Sequence, residues 1–215
     1  MKPLAIIVMA LLIATSATAM ITDPSCGGVL HGIASNSANQ PVTGIQVVLW
    51  PVGVDLDYIL PRTTTSAIGE YWFEHVCAGR FTAVVDDEAA GYPPSFWSYF
   101  LDNAQDVEIT GEVLQVELPV IVPEKAASVT IVARDRLTNE PIHVIEIRLL
   151  ASKASSITLN HNTSEPLLLP ANTDISCRLV ADGYREWPDN KRGAKHLRLA
   201  PADHMTLNVE LEPSR

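Results

Sequence analysis

Twenty-five acidic residues against fifteen Lys and Arg give this 215-residue chain a net charge of −10, and the imbalance is local. Residues 20–122 hold thirteen Asp and Glu against only Arg62 and Arg80, a net of −11, whereas residues 123–215 hold twelve of each sign. A half so short of cations cannot neutralise phosphate and is repelled by anionic lipid, which argues against nucleic acid and membrane surfaces as partners.

The chain opens with Lys2, an apolar run over Leu4–Ile13 too short for a stable anchor, and the small-x-small triplet Ala17-Thr18-Ala19. Together these predict a signal peptide over residues 1–19, and so a secreted or periplasmic protein. Cys26 follows Asp23-Pro24-Ser25 and lacks the apolar and small residues that precede a lipidated cysteine. No later segment is apolar enough to span a bilayer, so no membrane insertion is expected once the leader is removed. About 196 residues then remain, enough for two domains of roughly 100 residues each.

Period-two alternation predicts strands near Gly28–Ala34, Ile45–Pro51, Glu70–Val76, Phe81–Val85 and Val113–Val120, separated by Gly, Pro, Asn and Asp. Further along they fall near Ser128–Ala133, Val144–Leu150, Ser156–Leu159, Pro166–Leu169, Ile175–Val180 and Thr206–Leu211. Ile145, Ile147 and Leu149 alternate with Glu146 and Arg148, which sends one face to a core and the other to water. Fifteen prolines argue against long helices, leaving one or two turns over Ser98–Ala104. Many short strands with turn signals between them imply an all-β fold of antiparallel sandwiches.

The chain also repeats itself. Asn39-Gln40-Pro41-Val42 returns as Asn139-Glu140-Pro141-Ile142, Ala89-Ala90-Gly91-Tyr92 as Ala181-Asp182-Gly183-Tyr184, and Leu114–Leu118 as Leu207–Leu211. Three matches in the same order predict two tandem copies of one domain, over residues 24–122 and 123–215, with Pro119–Glu124 as the linker. Three cysteines permit three single disulfides, each leaving one thiol over. Cys26 lies just before the first predicted strand and Cys77 just after a later one, so Cys26–Cys77 is a candidate pair in an oxidising compartment. Closing a loop of about fifty residues stabilises by roughly 3 to 4 kcal/mol. Cys177, alternating with Ile175 and Leu179, reads as a small buried hydrophobe.

Within the first copy, Gly32-Ile33-Ala34 leads to Asn39-Gln40-Pro41-Val42-Thr43-Gly44, then Thr63-Thr64-Thr65 to Gly69-Glu70-Tyr71-Trp72-Phe73, then Val76-Cys77-Ala78-Gly79-Arg80-Phe81 and Gly91-Tyr92. This order resembles the carboxypeptidase regulatory-like domain, a prealbumin-like (transthyretin-like) sandwich, with Ala78 in place of the family's usual Pro. The resemblance covers residues 28–118; the second copy is degenerate. It implies a Greek-key sandwich that usually lacks catalytic machinery, in a fold also grouped with starch-binding-like domains. The residues themselves put Tyr71 and Phe73 on one face of a strand and Trp72 on the other.

Hydrolase, zinc and nucleotide motifs are missing from the sequence, and its six histidines are scattered, so no enzyme, cofactor or metal is expected. Asp86-Asp87-Glu88, and Asp55 with Asp57, lack the spacing of a calcium loop and read as solvated turns. Tyr92–Leu101 holds five aromatics in ten residues; Phe96, Phe100 and Leu101 suit a cap or an interdomain seam, and Trp97 and Tyr99 suit exposure. Trp97, Tyr99, Tyr184 and Trp187 are the candidate ligand-binding surface. The sequence thus predicts an exported, non-catalytic structural or protein-interaction module, or else a carbohydrate-binding one, with an unknown protein or a cell-envelope glycan as partner.

Overall fold

A computed structural model describes residues 21–53, 60–101, 104–110, 114–151, 156–188 and 193–214, without the side chains of residues 99, 100 and 151. The predicted leader, Asp55, Asp57 and Val113 lie outside the described residues. The fold is all-β: fifteen strands and one five-residue helix among the described residues, packed as two successive sandwiches.

The first sandwich contains β1 (Gly28–Ser35), β2 (Gln46–Pro51), β3 (Arg62–Thr64), β4 (Glu70–Val76), β5 (Gly79–Val85), β6 (Asp106–Ile109), β7 (Gln115–Glu117) and β8 (Val120–Ile121). One sheet runs β4-β1-β7, with β8 also on β1; the other runs β3-β2-β5-β6. Inward rows close a single core: Leu30 and Ala34 from β1, Tyr71 and Phe73 from β4, Val47 and Leu49 from β2, Phe81, Ala83 and Val85 from β5. Tyr71 is buried whole, and its hydroxyl donates to the Leu118 carbonyl, which satisfies that buried polar atom. Gly32 permits this approach, because a Cβ there would stand 2.1 Å from the Leu118 oxygen. Cys26 and Cys77 form a disulfide across 51 residues, tying the incoming segment to the end of β4.

The second sandwich contains β9 (Ala127–Asp135), β10 (Val144–Ala151), β11 (Ser156–Asn162), β12 (Leu167–Leu169), β13 (Ile175–Val180), β14 (Lys195–Leu197) and β15 (His204–Leu211). Its sheets run β12-β9-β15 and β11-β10-β13-β14. Strand for strand this is the order of the first sandwich, with β15 taking the place of β7 and β8. The turns repeat as well: Asn39 and Asn139 both adopt positive φ (57° and 62°), as do Gly91 and Gly183 (82° and 80°). Its core is separate, built from Val129, Ile131, Ile145, Ile147, Leu149, Cys177, Leu179, Leu207 and Val209, the alternating residues of β9, β10, β13 and β15.

Four details depart from the sequence reading. The last strand of each copy runs parallel to its first, β7 and β8 on β1 and β15 on β9, so each sandwich has one mixed sheet. The single strand expected to end at Val120 is two pieces, because Pro119 has no N–H to give the ladder. Pro119–Glu124 is not wholly a linker, since Val120 and Ile121 pair with Ala34 and Ser35. The helix α1 spans Phe96–Phe100, ahead of the expected turns. It covers the outer face of the second-named first-copy sheet, where Val48, Trp50 and Val84 are buried with Phe96 packed against them. No described helix is long and apolar enough to cross a membrane.

Candidate functional site

The aromatic-rich segment behaves differently from the expectation for its exposed members. Trp97 is 1% exposed and belongs to the second core, although the first copy supplies it. Its Nε1–H donates to the Leu168 carbonyl at 3.2 Å, so the indole is satisfied as well as buried. Alternation carries no information about this destination. In a helix of one turn, successive side chains diverge: Trp97 enters the second core, while Phe96 packs against both the first-copy sheet and that core. Tyr99 sits on α1, with its side chain outside the described residues. Above Trp97 lies a cleft of about 410 Å³ between the two halves, walled by Leu101, Pro119, Pro123 and Pro170.

Tyr184 and Trp187 both pack against the second core. The Tyr184 hydroxyl donates to Asp135 Oδ2 at 2.9 Å, which raises its own pKa. Backbone N–H groups of Thr138 and Leu137 also donate to Asp135 and, with the tyrosine hydroxyl, hold that carboxyl below the usual carboxylate range. Tyr184 is therefore committed internally. Trp187 exchanges both backbone hydrogen bonds with Leu179, extending the β13 region, and its peptide bond to Pro188 is cis. Beside it opens a groove of about 460 Å³, lined by Trp187 and Pro188, by Arg136 and Arg185, by Asn208, and by the carboxylates of Glu186, Glu210 and Glu212. Of the three candidate residues whose side chains are described, Trp97 is internal, Tyr184 is spent on Asp135, and Trp187 lines this groove, so these three do not form one surface.

Sequence reasoning left another aromatic out of its site. Trp72, on the outer face of β4, is 46% exposed. It lies opposite His31 on β1, which is in register with Glu117 on β7 and 3.2 Å from the Gln115 amide. Two residues further along β1, Ile33 is 42% exposed beside Glu70, and Ile121 is 73% exposed beside Ser35. Same-face residues two apart on neighbouring strands are diagonal neighbours at about 7–8 Å, so Trp72, Ile33 and Ile121 make one apolar stripe across the sheet. Glu70, Glu74 and Glu117 flank it. The alternation of Tyr71-Trp72-Phe73 had already placed Trp72 on the solvent side; nothing in that alternation distinguishes a platform from a lone exposed ring.

Several other polar groups serve the fold. Arg62 pairs with Asp86, and Asp87 accepts from the backbone N–H groups of Gln46 (3.1 Å) and Ala90 (3.0 Å), so this acidic run organises a turn. Ser128 Oγ meets His204 Nδ1 at 2.5 Å and Ser176 Oγ meets His196 Nδ1 at 2.9 Å. Both are cross-strand register pairs, and among the described residues no carboxylate is hydrogen-bonded to either ring. Burial pushes the Cys177 thiol up to about 11, against the opposing charge of Lys195. No group of three His, Cys, Asp or Glu among the described residues is placed to hold a metal ion.

No family model matches the chain, and no curated protein matches it. Among solved structures it is similar to the Bacillus anthracis TIE protein, at 13% identity and a TM-score of 0.37, over 87% of this chain and 34% of that one. It is similar to the Streptococcal ancillary pilin at 11% identity and a TM-score of 0.35, over 89% of this chain and 64% of that one. A DUF3823 family protein from Bacteroides uniformis aligns at 12% identity and a TM-score of 0.33, over 80% of this chain and 99% of that one. The chain spans about a third of the TIE protein's length and just under two thirds of the pilin's.

Proposed function

We propose that this chain is an exported, non-catalytic interaction module, secreted or periplasmic, that docks a protein partner on the outer face of its first sandwich. The observation that carries this reading is the Trp72–Ile33–Ile121 stripe, an exposed apolar band on a sheet whose underside is filled by Tyr71 and Phe73 and whose end is tied by the Cys26–Cys77 disulfide. Such a face is preorganised, so little ordering entropy opposes binding. The flanking carboxylates and the net −11 of residues 20–122 select a partner whose contact surface is basic around an apolar centre. The resemblance to carboxypeptidase regulatory-like domains, with residues 24–122 and 123–215 as successive domains, belongs to the same reading.

A photocrosslinking residue at Ile33 or Ile121 tests it in the exporting cell, with Thr206 on β15 as the control position. The reading expects one protein to be trapped from both positions, with a basic contact surface and a yield reduced by salt and by Trp72→Ala. Equal trapping from Thr206, or insensitivity to Trp72→Ala, would refute it. A second reading, carbohydrate binding, is favoured by one observation: the groove beside Trp187 combines an indole wall with convergent polar side chains.

A further inference from the structure

We infer that the Trp187 groove is a binding subsite for a neutral sugar ring, in an assignment that rests on the second, carbohydrate-binding reading and gives it a place and a ligand class. Of the charges lining the groove, all but that of Glu210 are already engaged. Glu212 pairs with Arg136 and with Arg185 (3.5 Å), and Glu186 pairs with Arg178 (3.2 Å) and Arg148 (3.6 Å). An anionic ligand would have to pull guanidinium groups away from Glu212 and approach Glu186 and Glu210. A cationic ligand would find the Glu210 carboxylate but also meet Arg136 and Arg185. Neither charge is selected.

What the groove leaves open is one amide and one carboxylate, on a wall where the other charges cancel in pairs. Asn208 and Glu210 project outward from alternate positions of β15, about 6.8 Å apart along the strand. Among the described residues, neither side chain has a hydrogen-bond or ion-pair partner. Asn208 offers a donor and an acceptor, Glu210 offers acceptors, and the paired guanidinium groups of Arg136 and Arg185 keep N–H groups free beyond those used on Glu212. A ligand that donates to a carboxylate and accepts from an amide or guanidinium at neighbouring points carries hydroxyl groups, each of which does both. Trp187 and Pro188 also line the groove and supply an apolar surface suited to the C–H face of a pyranose. A polyol with one apolar face and a rim of hydroxyls matches both sides. The fixed backbone of β15 and the strand-like pairing of Trp187 with Leu179 hold the two walls, so the site is preformed.

The test uses the full mature chain on a printed array of neutral, uronic-acid and amino-sugar oligosaccharides, followed by calorimetry with the best-retained compound. The inference expects retention of neutral glycans, little affected by salt, and loss of about tenfold or more in affinity for the double variant Asn208→Ala, Glu210→Gln. Both positions are solvent-facing on β15, so that variant keeps the fold; Trp187→Phe, which retains the packing on the second core, should weaken binding less. If the unaltered chain retains no glycan, the carbohydrate reading falls and this site with it. If it binds a neutral glycan as tightly after the Asn208 and Glu210 changes, the reading stands and the site assignment is overturned. Retention confined to charged glycans and abolished by salt would overturn the ligand class.

Discussion

Replacing Trp97 should loosen the second sandwich, although Trp97 belongs to the first copy in sequence. The indole is buried among residues of the second core and donates to Leu168, so Trp97→Ala removes a large aromatic and leaves that carbonyl without its partner. Aromatic-to-alanine changes in a packed core cost about 3–5 kcal/mol, and about 4 kcal/mol corresponds to roughly a thousandfold change in an opening equilibrium. Cys177 reports on that opening, because it is the free thiol of the second core and is 2% exposed. Thiol labelling under native conditions, with reclosing faster than reaction, should therefore accelerate by roughly three orders of magnitude in Trp97→Ala. Trp97→Phe keeps most of the packing and loses the donor, so about tenfold is expected. If Cys177 labelling is unchanged while amides of β1 and β4 exchange faster, the indole serves the first core and the reasoning fails.

Gly32→Ala should destabilise the first sandwich by about 2–3 kcal/mol in a denaturant titration, since the added methyl meets the backbone of Leu118 and no flexible side chain can yield there; a change under about 0.5 kcal/mol would mean that the strand contact relaxes freely. Reducing the Cys26–Cys77 disulfide should lower stability by roughly 3 to 4 kcal/mol, read as the midpoint difference with and without reductant, while Cys177 labelling changes little. Because burial raises the Cys177 thiol to about 11, its contribution is fully present below the ordinary thiol range and is lost as pH rises through about 11. Stability of the unaltered chain should then fall more steeply than that of Cys177→Ala between pH 9 and 11, and parallel curves would contradict the burial.

Strands that expose one face announced themselves. Ile145, Ile147 and Leu149 in β10, and Leu207, Val209 and Leu211 in β15, are buried as their spacing predicts, and the repeated Asn-x-Pro turns mark the same left-handed asparagine in both copies. Strands β6 and β14 were illegible because four or three residues on a sheet edge, carrying Asp106 and Glu108 or Lys195 and His196, are too short and too polar to show alternation. The parallel placement of β7 and β15 is a property of how the chain crosses the sandwich, which local pattern does not encode. The site divides the same way. Trp72 was readable as outward-facing from its neighbours, but its partners His31, Ile33, Glu117 and Ile121 come from three other strands. The Trp187 groove likewise joins the end of β9, the 185–188 segment and β15, brought together only by the second core. Trp97 misled for a related reason: an aromatic-rich turn reads as a surface until one knows that a second sandwich stands against it.

Four tryptophans make the most direct measurement simple. Trp72 is offered to solvent, whereas Trp97 and Trp50 are buried and Trp187 is half-buried. Acrylamide quenching of the unaltered chain should show one strongly accessible indole, and Trp72→Phe should remove most of that accessible fraction while leaving the buried emission in place. If the accessible fraction survives Trp72→Phe, the first sandwich has no open aromatic face, and the docking surface assigned to it does not exist.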